Sequence, residues 1–324
     1  MDLNMFKSIK EFKGLLAVEK ISLIYNAFTT LMIFFLFSRM DHPTRMFIER
    51  VVIVALTACA YSLYRFHPCK ITVFIRVALQ MSFLAYWYPD TYEFNRLFPN
   101  LDHLFASLEQ FLFFCQPSVE FNKWLPSMWF SEPFNFGYFC YYPMIAIVTI
   151  YYFLYRFHWF EKISFVLVAS FFIYYLIFIF VPVAGPQFYF PAIGMDNVTA
   201  GVFPAIGDYF NQNAILLPGP GYEHGFFYNL VELSQGVGER PTAAFPSSHV
   251  GIATIVLIMA YRAKKELGHL ILPVYILLCG ATVYIQAHYL IDVLGGWISS
   301  IIIYSIATYF YKRYFSTGYF KKLK

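Results

Sequence analysis

Charge is scarce in this 324-residue chain. Asp, Glu, Lys and Arg make up 13% of it, against about 25% in an ordinary soluble domain. Hydrophobic residues make up 59% and aromatics 22%. A water-facing globule cannot hide that much apolar surface, so lipid is the expected solvent. Paired cysteines are lacking too. Cys59, Cys69, Cys115, Cys140 and Cys279 are scattered without a CxxC, which argues against a zinc or disulfide framework. They read as small hydrophobes in or near spans, with a Cys115–Cys140 pair left open. HExxH is absent. His42, His67, His103, His158, His224 and His269 are spread among loops and span ends, so no metal and no cofactor is expected. No basic stripe suggests nucleic acid. No cleavable leader is evident, because residues 1–20 are mixed and lysine-bearing and the first apolar run is long enough to stay as a span.

What the chain has in abundance is long apolar runs. A helix needs about 20 apolar residues to cross the hydrocarbon core. Eight candidate spans follow, at roughly 21–38, 47–64, 71–88, 137–155, 163–183, 247–262, 270–287 and 288–311. Helices are the default because lipid offers no partner to unpaired backbone groups. The expected fold is therefore all-α: a polytopic integral membrane bundle of about eight transmembrane helices. Two long stretches do not read as spans. Residues 89–136 carry "YPDTYEFNRLFPNLD" and then "HLFASLEQFLFF", the latter read as a helix lying at the interface. Residues 184–246 carry glycines, prolines and many aromatics.

Lys and Arg favour the cytoplasmic side. With these spans, one side collects Lys7, Lys10, Lys13, Lys20, Arg65, Lys70, Arg156, Lys162, Arg262, Lys264, Lys265, Lys312, Arg313, Lys321, Lys322 and Lys324. The other side has Arg39, Arg45, Arg50, Arg96, Lys123 and Arg240, and Arg76 falls inside the third span. Both termini are thus expected in the cytoplasm. The sixth span then starts, and the seventh ends, at the outer face. His249 and His288 mark those two points, so the topology alone brings both to one surface.

Each histidine sits in a suggestive setting. His288 and Asp292 are four apart and share one helical face. A carboxylate that accepts an imidazole N–H fixes the tautomer and raises basicity, leaving the other nitrogen to act as a nucleophile. Upstream, "PSSH" places Pro246 before Ser247 and Ser248, which are favoured N-cap types. The helix that follows offers unpaired N–H groups suited to phosphate. His249 in its first turn can donate a proton to a leaving oxygen.

"PSSH" followed by "HYLID" resembles two signature motifs of the type-2 phosphatidic acid phosphatase superfamily, PSxH and SRxxxxxHxxxD. The resemblance covers about 137–311. It implies a nucleophile at His288, an orienting carboxylate at Asp292, a general acid at His249 and phosphate contacts at Ser247 and nearby N–H groups, Ser248 among them. Gly295 and Gly296 fit the small residues that follow the aspartate and would let helices approach closely.

The chain departs from that pattern. The Ser-Arg before the histidine is replaced by Ala281 and Thr282. In the KxxxxxxRP motif, "RP" is present at Arg240–Pro241, but Leu233 stands at the lysine position. A transferring phosphoryl group needs compensating charge, and Arg240 is the candidate to supply it. Arg76, with Gln80 on its helical face, reads instead as a structural pair. Inositol phosphorylceramide synthases and sphingomyelin synthases keep the histidine core without the phosphatase cations. "VPVAGPQFYF" (181–190) and "GYFCYYPMI" (137–145) look similar to stretches of the inositol-type transferases. A diester carries one negative charge and a monoester nearly two, so a cation-poor site favours diesters.

The expectation is a membrane lipid phosphotransferase that passes an inositol-phosphate headgroup to a lipid acceptor. The alternative is a phosphatase of phosphatidate or of an isoprenoid pyrophosphate, and the remote alternatives are a non-catalytic scaffold or a transporter. A vanadium haloperoxidase would need the missing cations. The partners are membrane lipids, with water or a lipid alcohol as acceptor. The expected domains are 1–136 with the N-terminal spans and interfacial segment, 137–311 as catalytic core, and 312–324 as a basic cytoplasmic tail. A bacterial inner membrane, with the active site facing the periplasm, is the expected location.

Overall fold

Alternation of apolar runs with proline, glycine and charge yields helix after helix, and the described residues contain no β-strand. The computed structural model describes residues 5–320. Lys321, Lys322 and Lys324 of the expected basic tail lie outside the described residues.

The helices are α1 (Ala17–Leu36), α2 (Pro43–Phe66), α3 (Lys70–Ser82), α4 (Leu84–Asn95), α5 (Asp102–Phe113), α6 (Pro117–Trp124), α7 (Met128–Phe139), α8 (Tyr141–Tyr155), α9 (Phe157–Phe180), α10 (Pro186–Ile193), α11 (Met195–Thr199), α12 (Phe226–Gly238), α13 (Ser248–Ala263), α14 (Lys265–Tyr284) and α15 (Leu290–Phe310). Their ends follow from local chemistry. Pro43 starts α2 and Pro117 starts α6, positions where the missing N–H costs nothing.

Among the described residues, six helices are long and apolar enough to cross a membrane: Ala17–Arg39, Pro43–Phe66, Lys70–Asn95, Phe157–Phe180, Lys265–Tyr284 and Leu290–Phe315. α7 and α8 form a seventh if taken as one span bent by 46°. α13 answers to the sixth expected span, but its 16 residues reach only about 24 Å, short of a ~30 Å core. All eight apolar runs thus appear as helices. The stretch 184–246 holds only shorter helices, α10 to α12.

The described chain divides into two compact units. The first is built from the chain up to Tyr88, Val148–Ile173 and the chain from Ile303. The second is built from Pro89–Ile147 and Tyr174–Ile302. The second holds both motif histidines. Its core gathers Val183, Phe188, Tyr189, Phe190 and Phe210 around Tyr289, the residue after His288. All five cysteines are free, so Cys115 and Cys140 do not pair. Arg76 is fully buried in the first unit and meets Glu19 at 2.5 Å, the structural pairing expected for it, although Gln80 bonds Thr57 instead.

Candidate active site

The "PSSH" segment folds as a helix start. The Ser247 hydroxyl accepts the Val250 N–H at 3.3 Å and so caps α13. The Ser247 N–H donates to the Asp292 carbonyl at 3.0 Å, tying the two motifs together through backbone. The closeness depends on Gly296: a Cβ there would lie 2.7 Å from the Ser247 carbonyl oxygen. Ser248 opens the helix, and its N–H and that of His249 have no acceptor among the described residues. Two open N–H groups at a helix N-terminus suit an anion.

The second motif begins with a reversal of the chain. α14 ends at Tyr284, and Gln286 adopts a left-handed φ of 62°, where a non-glycine residue is uncommon. That turn is pinned by hydrogen bonds from the Gln187 N–H to the Gln286 carbonyl and from the His288 N–H to the Thr282 carbonyl, both 3.0 Å. His288 therefore sits between two helices, 3% exposed.

The two imidazoles meet. His288 Nε2 lies 3.4 Å from His249 Nδ1. The other ring nitrogen, Nδ1 of His288, donates to the Ala244 carbonyl at 2.9 Å, which leaves the Nε2 lone pair available. Asp292 Oδ2 is the second neighbour of Nδ1, at 3.5 Å. That same oxygen accepts the Tyr289 N–H at 2.8 Å, so Asp292 also caps α15. Asp292, expected as the orienting carboxylate, lies beside the ring, but a backbone carbonyl is the closer partner. The 3.4 Å contact is longer than a good hydrogen bond, so an incoming group can displace it cheaply. Burial lowers the His288 imidazole to about 4, against the opposing pull of Glu239 and of the bond to Ala244. That shift favours the uncharged ring at neutral pH.

His249 is held by aromatics. Tyr138 stacks on it with ring centroids 4.9 Å apart, and Tyr141 is at 4.6 Å. Tyr138 and Tyr141 lie either side of the break between α7 and α8, which sets both rings against the imidazole.

Charge compensation is thin. Ala281 and Thr282, at the motif's Ser-Arg positions, are buried. Arg240 is the one Lys or Arg between Lys162 and Arg262. Its Nη1 donates to the Glu239 carbonyl at 2.7 Å, and it makes no hydrogen bond to His249, His288 or Asp292. The described residues contain no cluster of His, Cys, Asp or Glu fit for a metal.

A family model described as the PAP2 superfamily matches residues 103–306, more than half of the chain. The chain belongs to the PAP2 superfamily. No curated protein and no solved structure matches it. The PAP2 match starts in α5, upstream of residue 137, and takes in Glu109, with Asp102 one residue before it; the motif reading passed over both acids. Asp102 is fully buried. It accepts the N–H groups of Ala184 (2.6 Å) and Gly185 (2.8 Å), the Asn100 amide (2.5 Å) and the Tyr289 hydroxyl (3.0 Å). Burial raises its carboxyl while those four donors oppose the rise. Glu109, two turns along the same face, is also fully buried. A signal was present in the sequence: seven residues is two helical turns, so both acids lie on the same side of α5 as Ala106.

Proposed function

We propose that this PAP2-superfamily membrane protein transfers a phosphorylated lipid headgroup through His288. The 3.4 Å contact between His288 Nε2 and His249 Nδ1 is the observation that carries the reading. Nε2 attacks the donor's phosphorus, so an N–P bond forms and the P–O bond to the lipid breaks. His249, whose protonated form is favoured once the anionic phosphate binds beside it, gives its proton to the leaving oxygen. An acceptor hydroxyl then attacks phosphorus and returns a proton to His249, and the N–P bond breaks. Ala244 and Asp292 hold the His288 ring in the tautomer that exposes Nε2. The open N–H groups of Ser248 and His249, with the Ser247 hydroxyl, cradle the phosphate oxygens, and Arg240 is a secondary contact. No step needs a cofactor.

The scarcity of cations favours a diester donor, which brings a single negative charge. A lipid alcohol is then the acceptor, and an inositol-phosphate headgroup is the proposed cargo. In this reading both termini face the cytoplasm and the site faces outward. The proposed catalytic core is 137–311.

The test uses purified protein in detergent. It is given labelled phosphatidylinositol with ceramide or diacylglycerol, and separately labelled phosphatidate, for wild type and His288→Ala. Label passing to the acceptor, with little free phosphate and none in the variant, is the expected result. Free phosphate from phosphatidate, lost in the variant, would make the protein a phosphatase. Turnover that survives His288→Ala would overturn the histidine mechanism.

A further inference from the structure

A buried carboxylate is stable only with a cation or several donors beside it. Asp102 has four donors. Glu109 is equally buried, yet neither of its oxygens accepts a hydrogen bond of ordinary geometry, and among the described residues no Lys or Arg pairs with it. Its carboxyl faces the start of α15, towards the N–H groups of Leu290 and Ile291 and the side chain of Asp292. Asp292 has a matching defect. Oδ2 is taken by the Tyr289 N–H, while Oδ1 is buried without a donor. One group lacks a charge partner and its neighbour lacks a donor.

We propose that Glu109 is a positioning residue that stands protonated behind His288 and shares its proton with Asp292. A single proton then answers both defects. It removes an unsupported charge from Glu109 and supplies Asp292 with an O–H donor. Two nearby carboxyls without a cation cannot both ionise cheaply, so the pair titrates as a unit. The ionisable groups around Glu109 all disfavour a second negative charge. Asp292 and Tyr289 face it from the start of α15, Cys115 from the turn after α5, and Asp102 faces Asp292 from α5 itself. Burial first, and Asp292 second, push the Glu109 carboxyl up to about 8, against the opposing pull of the Leu290 and Ile291 N–H groups. The consequence for chemistry is indirect. Asp292 lies 3.5 Å from His288 Nδ1, so the shared proton fixes the carboxyl that flanks the nucleophile's ring. That consequence rests on the histidine reading above, whereas the proton itself does not.

The experiment has two arms on the full chain in detergent. Infrared difference spectra of wild type against Glu109→Gln across pH read the proton directly. The expected result is a carboxylic-acid carbonyl band at neutral pH that is missing in the variant and fades in wild type as pH passes about 8. The second arm measures transfer from labelled phosphatidylinositol against pH for wild type, Glu109→Leu and Glu109→Gln. Glu109→Leu leaves Asp292 Oδ1 without a donor and is expected to lose about tenfold or more, the scale of an unpaired buried acceptor. Glu109→Gln keeps an N–H donor, restores most of that loss, and no longer shows the alkaline decline of wild type. The proposal is overturned if Glu109→Gln removes no acid band. It is overturned equally if Gln rescues nothing, or if the alkaline decline persists unchanged. If wild type turns over no lipid offered, the transfer reading fails, and the infrared arm still decides the proton.

Discussion

The two units bury charge in different ways. In the first, each buried charge has firm partners. Arg76 meets Glu19 through Nε and Nη2 at 2.7 and 2.5 Å, donates to the Gly14 carbonyl, and has Tyr61 and Tyr64 rings against its guanidinium. Arg50 donates to Thr29, the Met46 carbonyl and Tyr86, over the ring of Trp87. Glu161 accepts from the Ala17 N–H, Tyr311 and Thr317. In the second unit, His288, Asp292 and Glu109 are just as buried, but no cation bonds to them and several of their polar atoms are unmatched. Groups that hold several firm partners, as Asp102 also does in the second unit, make structure rigid even where one atom, such as Arg76 Nη1, goes unmatched. Groups left short of partners are available to a substrate or a proton, and in the second unit they surround one histidine pair.

Breaking the second unit's pair should give the largest effect. His288→Asn keeps size and polarity but removes the Nε2 lone pair. Transfer is expected to fall on the order of 10⁴-fold or more, as when a nucleophile is deleted, while the thermal midpoint in detergent moves little. A midpoint collapse matching the activity loss would make His288 a structural residue.

Breaking the first unit's pair should do the reverse. Arg76→Leu leaves Glu19 as an uncompensated buried carboxylate. Such a loss typically costs about 3–5 kcal/mol. It should lower the unfolding midpoint and protein yield, and molecules that remain folded should keep their turnover. Turnover per folded molecule falling as far as in His288→Asn would erase the contrast between the units.

How much of this contrast the sequence carried depends on the kind of signal. The histidine meeting was legible because span order and charge bias place His249 and His288 at one face, and i, i+4 spacing aligns Asp292 with His288. Arg76 was legible as a structural residue because a lone cation in an apolar span must find a partner, although Glu19 could not be named. The Ala244 carbonyl was not legible, since every residue has one and only the fold selects which faces an imidazole. Tyr138 and Tyr141 were hidden in a chain that is 22% aromatic, where rings at span ends read as an interfacial belt. Asp102 and Glu109 were hidden because an apolar helix with two acids resembles an amphipathic surface helix. Here the acids are on the buried side.

A gentler way to sharpen the comparison is pH. His288 is lowered from 6.5 to about 4, so the unfolded chain binds its proton more readily, and stability rises with pH between those values. Glu109 is raised from 4.5 to about 8. The folded chain then holds the extra proton, and stability falls as pH rises through that window. Thermal unfolding in detergent across pH should show the acid-side rise flattened in His288→Asn and the fall flattened in Glu109→Gln. Identical pH profiles for all three proteins would mean that neither group is perturbed by folding.

The smallest expected effect belongs to Arg240. A guanidinium that clamps the transferring phosphate is worth about 10²–10³ in rate, the scale of one lost transition-state donor. Arg240 instead spends its Nη1 on the Glu239 carbonyl and hydrogen-bonds to neither histidine. Arg240→Gln should therefore slow transfer from phosphatidylinositol by less than about tenfold, since a single-charged diester asks little of it. The same substitution should weaken any reaction with phosphatidate more, because a monoester's second charge has no other Lys or Arg between Lys162 and Arg262 to meet it. Measuring both substrates with one variant turns a minor residue into a charge gauge. A small diester effect beside a larger monoester effect fits a cation-poor transferase. A 10²-fold loss on the diester would instead make Arg240 the clamp and move the second unit towards phosphatase chemistry.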